Sequence, residues 1–305
     1  MLYPEIQFVA GLPRSGSTLL MNILGQNPRH HVTPTNDLID LMVGVRNSWM
    51  HTVGFRSQGL RDVKPRVLGA MRGQLYGFYE EEFETGKTVF DKSRGWIAHI
   101  ETLEEVLQRP VKVIVTIRDI RAVVASFERI HRQGNMTTHV PKGPAFFDMQ
   151  TIDGRARQLF SPDSVVGIAV NRIRDAIERG MADRLLFVRY RRLVSRPRET
   201  LAAIHDALGL HPFRYDFDHV EQLTKEDDTV YGMWDLHTIK TGKVTPSDGP
   251  PPWEGILPPR VSEWLSQEYA DINAIANDPS PIPAHVSLDD PPHVAPITVV
   301  SPGGR

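Results

Sequence analysis

The chain has 305 residues, of which 40% are hydrophobic and 24% are charged, as is typical of a globular protein with a sizeable core. Its net charge of −2 gives no support for binding nucleic acid or a membrane through overall charge, and we predict neither partner. The sequence contains no cysteine, which excludes disulfides and thiolate metal sites. Without a signal-peptide pattern or an apolar run near the roughly 20 residues of a membrane span, the predicted location is the cytoplasm.

Short apolar runs alternate with helical patterns along the chain. Four runs are predicted to form strands: Ile6–Ala10, Thr88–Phe90, Val111–Ile117 and Leu185–Val188. The helix-period segments are Thr18–Gly25, Asn36–Asn47, Val63–Glu84, Trp96–Leu107 and Ile120–His131. This alternation predicts an α/β fold of the P-loop type, with three α/β/α layers around a central parallel sheet. Ligands of such sheets bind at the carboxyl ends of the strands.

Two segments depart from this alternation. Gln133–Gly154 combines Gly, Pro and aromatic residues without a regular period, and it is predicted to form a mobile lid or acceptor-binding loop. From Asn277 the composition is rich in proline and has too few apolar residues to fold alone. We therefore predict one α/β domain over residues 1–276 and a proline-rich tail over residues 277–305.

The first predicted strand runs into a helix through the sequence GLPRSGST, residues 11–18. Its glycine spacing is that of a phosphate-binding loop, but serine stands where nucleotide-hydrolysing loops carry lysine before the Ser/Thr. Unpaired N–H groups at the start of a helix attract anions, and hydroxyls and a guanidinium strengthen such a site. The alternative is a serine-capped helix after a glycine turn. The predicted phosphate-binding residues are Arg14, Ser15, Gly16, Ser17 and Thr18.

A second motif lies in Lys112–Arg132, where a predicted strand is followed directly by a helix. Arg118 emerges at the carboxyl end of the strand, and Asp119 is predicted to cap the helix. Ser126 lies two turns into that helix, near enough to Arg118 for both to hold one phosphate. The alternative is an exposed strand-end cation and a neutral helix position.

Together, the lysine-less loop and the strand-R-D-x-R-A-x-x-x-S-helix motif about 100 residues later resemble the sulfotransferase superfamily. The form GLPRSGSTLL looks most like the tyrosylprotein sulfotransferases and related bacterial enzymes. The resemblance implies 3′-phosphoadenosine 5′-phosphosulfate as sulfuryl donor, adenosine 3′,5′-bisphosphate as product, and no metal. It also implies that Arg14 through Thr18 hold the 5′-phosphosulfate and that Arg118 and Ser126 hold the 3′-phosphate.

Three shorter segments are similar to the same family and follow in the expected order. VFDKSRGW places Lys92 where the family has an active-site lysine after its second strand. FVRYRRLVSRP is similar to a segment whose tyrosine meets the cofactor, which implies this role for Tyr190, although Arg191 replaces the family's acidic neighbour. LHTIKTGKV looks like the late basic loop that closes over the nucleotide, with Lys240 and Lys243 as the implied contacts.

The sequence departs from the family at the base that would activate the acceptor. Thr35 stands where the tyrosylprotein relatives have a glutamate, and Arg94 stands where the cytosolic branch has a histidine. The carboxylates nearby are Asp37, which we favour, and Asp40 and Asp91. Each has an alternative role as a helix cap or surface charge. His31 is also near, although the twelve histidines lack metal-site spacing, and adjacent His30 and His31 are predicted to lie in a polar turn.

The sequence thus predicts a sulfotransferase that moves a sulfuryl group to an acceptor hydroxyl or amine by in-line displacement. The acceptor, a small molecule or a peptide, and the oligomeric state stay open. A nucleotide kinase or NTPase of the same fold is one alternative, against which the missing loop lysine counts. A nucleotide-binding relative that has lost its base is the other.

Overall fold

A computed structural model of the protein describes residues 5–134, 149–232, 234–246 and 249–280. Five strands in these residues form one sheet in the order β2-β3-β1-β4-β5, and each neighbouring pair is parallel. The strands are β1 (Ile6–Gly11), β2 (His30–Thr35), β3 (Thr88–Lys92), β4 (Val113–Ile117) and β5 (Leu185–Arg189). The predicted lid lies mostly outside the described residues, as does the tail beyond residue 280.

Helices connect the strands and cover both faces of the sheet. Short 3₁₀-helices lie at Trp49–His51, Arg94–His99, Ala182–Arg184 and Asp228–Tyr231. The α-helices of the described residues are α1 (Ser17–Leu24), α2 (Leu38–Ser48), α3 (Val53–Gln58), α4 (Leu60–Phe78), α5 (Glu80–Glu84), α6 (Ile100–Leu107), α7 (Ile120–Arg132), α8 (Ile152–Gln158), α9 (Val165–Glu178), α10 (Tyr190–Ser195), α11 (Pro197–Leu208), α12 (Pro259–Glu268) and α13 (Ala270–Asn277).

The sheet separates two hydrophobic cores because successive side chains of a strand point to opposite faces. In β1, Phe8 and Ala10 pack into the larger core with α2, α4, α6, α7, α9 and α13, and Val9 packs into the smaller core with α1 and α11. β4 alternates in the same way, with Val113 and Val115 on one side and Ile114 on the other. The predicted three-layer α/β/α fold with a central parallel sheet is therefore confirmed.

The four predicted strands are confirmed within two residues at each end, but the prediction of a polar turn at His30 and His31 is wrong. These residues begin β2, the edge strand beside β3. His30 is buried, with its ring 4.8 Å from that of Phe90. The sequence HHVTPT hides the strand because it is polar and contains Pro34, a residue that sheets tolerate mainly at an edge.

Two predicted helices differ in detail from the observed ones. The segment Val63–Glu84 is not one helix, because α4 ends at Phe78 and α5 starts at Glu80, with Tyr79 between them outside the helical conformation. The phenol of Tyr79 is held by Asp91 of β3, which fixes the break. The segment predicted as a helix from Trp96 starts as a 3₁₀ turn and becomes α-helical at Ile100.

Candidate active site

The loop between β1 and α1 is held in a conformation that its glycines permit. Gly11 has a φ of 135°, and a Cβ there would lie 2.2 Å from the carbonyl oxygen of Thr116 in β4. Gly16, with a φ of 90°, precedes α1 and offers no side-chain cap. The first N–H groups of α1 are therefore left without a capping side chain, as an anion-binding loop requires.

The three predicted hydroxyl donors of the loop have different surroundings. Ser15 is fully buried, and its Oγ lies 3.0 Å from the carbonyl oxygen and 2.7 Å from the Oγ1 of Thr116. In this structure the Ser15 hydroxyl fixes the loop to β4, and its predicted contact with an anion stays a prediction. Ser17 and Thr18 are half-buried, and in the described part of the chain their hydroxyls have no hydrogen-bond partner. These two hydroxyls are available to a ligand.

The two predicted phosphate motifs meet in one place. Arg14 Nε donates a hydrogen bond to Ser126 Oγ at 3.0 Å, and Arg118 donates to the backbone oxygen of Arg14 at 3.0 Å. The Arg118 guanidinium stacks on Tyr190, 4.1 Å from the ring centroid. Because Gly16 has no Cβ, the Tyr190 ring can also approach the loop, and a Cβ there would be 2.7 Å from that ring.

Burial and the nearby charge of Arg118 lower the pKa of Arg14, and burial lowers the pKa of Arg118. Two adjacent cations that have lost part of their hydration repel each other, and a bound anion relieves this repulsion. The pocket formed by Arg14, Arg118, Ser126 and Tyr190 is therefore suited to a phosphate or sulfate group. Asp119 caps α7 as predicted, by accepting from the backbone N–H of Arg121.

Lys92 ends β3 and forms a buried ion pair. Its Nζ lies 2.9 Å from Oε1 of Glu226, and the two side chains are 6% and 5% exposed. The same carboxylate oxygen accepts from the backbone N–H of Thr35 at 2.9 Å and from its hydroxyl at 3.1 Å. Burial alone raises the pKa of a carboxyl group, but the Lys92 ammonium holds the pKa of Glu226 below its usual value. A carboxylate therefore lies beside Thr35, although it comes from a segment almost 200 residues later.

The segment that carries Glu226 also brings a histidine to this place. His237 Nδ1 lies 2.6 Å from Oδ1 of Asp228 and 3.2 Å from Oε2 of Glu226. The backbone N–H of His237 donates to the other oxygen of Asp228 at 3.0 Å. The preceding residue, Leu236, accepts a hydrogen bond from the guanidinium of Arg14 through its backbone oxygen. The late segment thus contacts both the phosphate loop and Lys92.

The carboxylates predicted as candidate bases lie in different surroundings. Asp91 is fully buried and accepts from Trp96 at 2.7 Å, from Asn36 at 2.8 Å and from Tyr79 at 2.5 Å. Burial raises the pKa of Asp91, and its oxygens are already used by these donors. The burial of its carboxylate counts against Asp91 as the base, and its candidacy stays a prediction.

The other predicted candidates lie at the surface near the start of α2 or on β2. Asp37 and Asp40 are exposed, and Asp37 occupies the N-cap position of α2 without making a side-chain cap. His31 Nδ1 lies 3.3 Å from a carboxylate oxygen of Glu82. No hydrogen bond or ion pair in the described residues joins these three groups to Lys92 or Arg14.

The predicted basic residues of the late loop, Lys240 and Lys243, are both exposed. The ammonium of Lys243 lies 2.9 Å from Asp218 at the surface. Contact of Lys243 with a nucleotide would require that pair to separate, and the contact stays a prediction for both lysines. Among the described residues, no group of three or more His, Asp or Glu side chains is arranged to hold a metal ion.

Sequence reasoning missed Glu226, Asp228 and His237. The sequence gives little indication of their role, because neither acid lies in a family motif and each residue alone is typical of a surface charge. His237 does stand in LHTIKTGKV, the segment singled out for its lysines. No spacing rule connects this segment to β3, since the contact is set by tertiary folding alone.

Residues 7–214 match the model of the sulfotransferase family. Among solved structures, the chain is 21% identical to the sulfotransferase domain of the olefin synthase from Synechococcus PCC 7002, covering 88% of this chain and 95% of that one with a TM-score of 0.48. The chain is 18% identical to the sulfotransferase domain of the curacin biosynthetic pathway, covering 88% of this chain and 98% of that one with a TM-score of 0.49. It is 13% identical to a sulfotransferase from Alicyclobacillus acidocaldarius, covering 90% of this chain and 95% of that one with a TM-score of 0.48.

No curated protein matches the chain significantly. Within the described residues, the helices are too short or too polar for any of them to cross a membrane.

Proposed function

The chain belongs to the sulfotransferase family, and from this premise we propose that it transfers a sulfuryl group from 3′-phosphoadenosine 5′-phosphosulfate to an acceptor hydroxyl or amine. The product of the donor is adenosine 3′,5′-bisphosphate, and the acceptor is a small molecule or a peptide. The observation that carries the proposal is the convergence of Arg14, Arg118 and Ser126, which joins two phosphate motifs in one cationic pocket.

Each part of the pocket has a proposed role. The uncapped start of α1, with the hydroxyls of Ser17 and Thr18 and the guanidinium of Arg14, holds the 5′-phosphosulfate. Arg118 and Ser126 hold the 3′-phosphate, the group that distinguishes this donor from ordinary adenine nucleotides. These assignments use charge-assisted hydrogen bonds, which are roughly twice as strong as neutral ones.

The chemistry needs stabilisation of the negative charge that grows on the leaving phosphate. A transferred sulfuryl group carries one negative charge where a γ-phosphoryl group carries two or more, so fixed cations meet much of the electrostatic demand. Arg14 and Lys92 are the proposed cations. For Lys92 to act, its ammonium must interact with the donor as well as with Glu226.

The test compares two ligands by thermal unfolding of the wild-type protein. Adenosine 3′,5′-bisphosphate at about 100 times its Kd is expected to add roughly 2.7 kcal/mol of stability, with adenosine as the control that lacks both phosphates. ATP with magnesium is expected to stabilise the protein far less. A larger effect of magnesium-ATP would favour a kinase or NTPase and overturn the proposal. Bisphosphate binding without any sulfuryl transfer would indicate an inactive relative instead.

A further inference from the structure

The site contains an oriented histidine that no family motif accounts for. His237 comes from the segment that follows α11, and its side chain is 12% exposed. Its Nδ1 lies 2.6 Å from Asp228 Oδ1, a distance at which Nδ1–H donates to the carboxylate. The second ring nitrogen, Nε2, has no hydrogen-bond partner in the residues that the structure describes. An imidazole whose Nδ1–H is held by a carboxylate carries its lone pair on Nε2, as a general base requires.

The carboxylates on either side fix the direction of this ring. Asp228 contacts His237 at two points, the ring through Nδ1 and the backbone through its N–H, which donates to the second oxygen of Asp228 at 3.0 Å. Glu226 lies 3.2 Å from the same Nδ1, and the Tyr231 ring packs edge-on at 5.3 Å between centroids. A ring held at this many points loses little further entropy when it takes part in a reaction.

The position of the ring is tied to both cations of the proposed donor site. Leu236, the residue before His237, accepts from the Arg14 guanidinium. Glu226, which contacts the imidazole, also pairs with Lys92 at 2.9 Å. His237 therefore lies between the loop that holds the sulfuryl group and the lysine proposed to act on the leaving group.

We propose that His237 is the general base that accepts the acceptor's proton and that Asp228 is the residue that positions it. This proposal rests on the proposed function and replaces Asp37 as the favoured base. It explains how the site works although Thr35 and Arg94 occupy the positions of the two inherited bases.

The step is balanced without a further reactant. The acceptor oxygen forms a bond to sulfur while the bond from sulfur to the bridging phosphate oxygen breaks, and the leaving adenosine 3′,5′-bisphosphate keeps that electron pair. The proton of the acceptor hydroxyl moves to Nε2 of His237. The carboxylates of Asp228 and Glu226 stabilise the resulting imidazolium until the proton passes to solvent.

The protonation state of the ring suits this role. The titratable groups that face it are Asp228, Glu226 and Tyr231 from its own segment and Lys92 from β3. Burial and the Lys92 charge lower the pKa of His237. The carboxylates of Asp228 and Glu226 raise this pKa, but the net effect is a lowered pKa. The ring is therefore neutral at pH 7, and the acid limb of the pH–rate profile is expected below the ordinary histidine value of about 6.5.

The experiment measures release of adenosine 3′,5′-bisphosphate from the donor between pH 5 and about 8.5, with water as acceptor and, in parallel, with phenol. His237→Gln is expected to lower turnover by about 10²-fold or more, to abolish the acid limb, and to leave the Kd for the bisphosphate unchanged. His219→Gln is the matched control. His219 forms an Asp–His pair with Asp216 at 3.0 Å but is exposed to solvent away from Lys92 and Arg14. This control is expected to behave as the wild type.

Glu226→Gln separates the two possible bases near Lys92. If His237 is the base, removing the Glu226 charge leaves Lys92 to lower the pKa of His237 further, and the acid limb moves to lower pH. Asp228→Asn is expected to move it in the same direction and to lower turnover. Loss of the limb in Glu226→Gln with its retention in His237→Gln would make Glu226 the base and overturn the proposal.

Full activity of His237→Gln would also overturn it while leaving the sulfotransferase assignment intact. Failure of the proposed function looks different, because the wild-type protein would then release no bisphosphate from the donor, whether or not it binds the bisphosphate.

Discussion

Removing the ammonium of Lys92 is expected to destabilise the protein as well as slow its reaction. The Lys92 and Glu226 side chains are 6% and 5% exposed, with 2.9 Å between Nζ and Oε1. In Lys92→Met the Glu226 carboxylate stays buried without its cation. Breaking one side of a buried ion pair costs about 3–5 kcal/mol of unfolding free energy. Thr35 still donates two hydrogen bonds to the carboxylate, so we expect the low end, about 3 kcal/mol.

Urea unfolding at pH 7 measures this loss, and its pH dependence tests the cause. The Lys92 ammonium holds the pKa of Glu226 below its usual value in the wild-type protein, so the ionised Glu226 carboxylate contributes stability at neutral pH, although burial lowers the pKa of Lys92 itself. That stability is lost as the pH falls through the lowered pKa. In Lys92→Met, by contrast, protonation of the Glu226 carboxylate removes the buried, unpaired charge. The difference in unfolding free energy between the two proteins should therefore shrink as the pH falls.

The double variant Lys92→Met/Glu226→Gln removes both charges and is expected to recover most of the lost stability. It also gives a clean measure of catalysis, because Glu226→Gln alone serves as its matched control. Against that control, loss of Lys92 is expected to lower turnover by about 10²–10³ while the bisphosphate binds nearly normally. The reasoning fails if Lys92→Met is as stable as the wild type at pH 7, or if the double variant is no more stable than Lys92→Met.

Three further predictions concern the donor pocket and the edge strand. Gly16→Ala places a Cβ 2.7 Å from Tyr190 at a φ of 90°, so we expect a loss of about 1–2 kcal/mol in unfolding free energy and weaker bisphosphate binding by calorimetry. Arg118→Ala should weaken bisphosphate binding by about 1.5–3 kcal/mol and leave adenosine 5′-phosphosulfate unaffected; equal losses would refute the 3′-phosphate assignment. Burial lowers the pKa of His30 to about 4, so stability should fall as the pH drops from about 6.5 to 4, and His30→Gln should flatten that dependence in urea unfolding.

The sequence predicts the sheet well because three of its strands, including β5 at one edge, are buried on both faces. β1, β4 and β5 consist almost wholly of buried residues, so a continuous apolar run between helices identifies each of them. β2 escapes detection because its residues are mostly polar and only two of its six are buried. Both ring nitrogens of His30 have hydrogen-bond partners nearby: Nδ1 lies 3.0 Å from the backbone oxygen of Leu24, and Nε2 lies 3.0 Å from the side-chain nitrogen of Asn27. The polar ring can therefore be buried.

The donor pocket is predictable for a different reason. Arg118 lies directly after β4 and Arg14 lies in the loop that follows β1, and β1 and β4 are neighbours in the sheet. Residues that follow adjacent parallel strands meet at the same edge, so the motifs alone predict that they converge. The burial of the Ser15 hydroxyl could not be predicted, because it depends on the register that brings Thr116 opposite Gly11.

The proposed base lies beyond this kind of prediction because it reaches the site through side chains of a late, irregular segment. That segment is held at one end by Lys92 and at the other by Arg14, the residue that also bonds to Ser126. Arg14 therefore connects the proposed 5′ and 3′ sides of the donor pocket to the backbone next to His237. A base positioned in this way need not lie at the family's usual positions, since the two cations proposed to act on the donor also contact the segment that carries His237. The loss of the inherited base at Thr35 and Arg94 is then compatible with an active site, provided that the late segment keeps these two contacts.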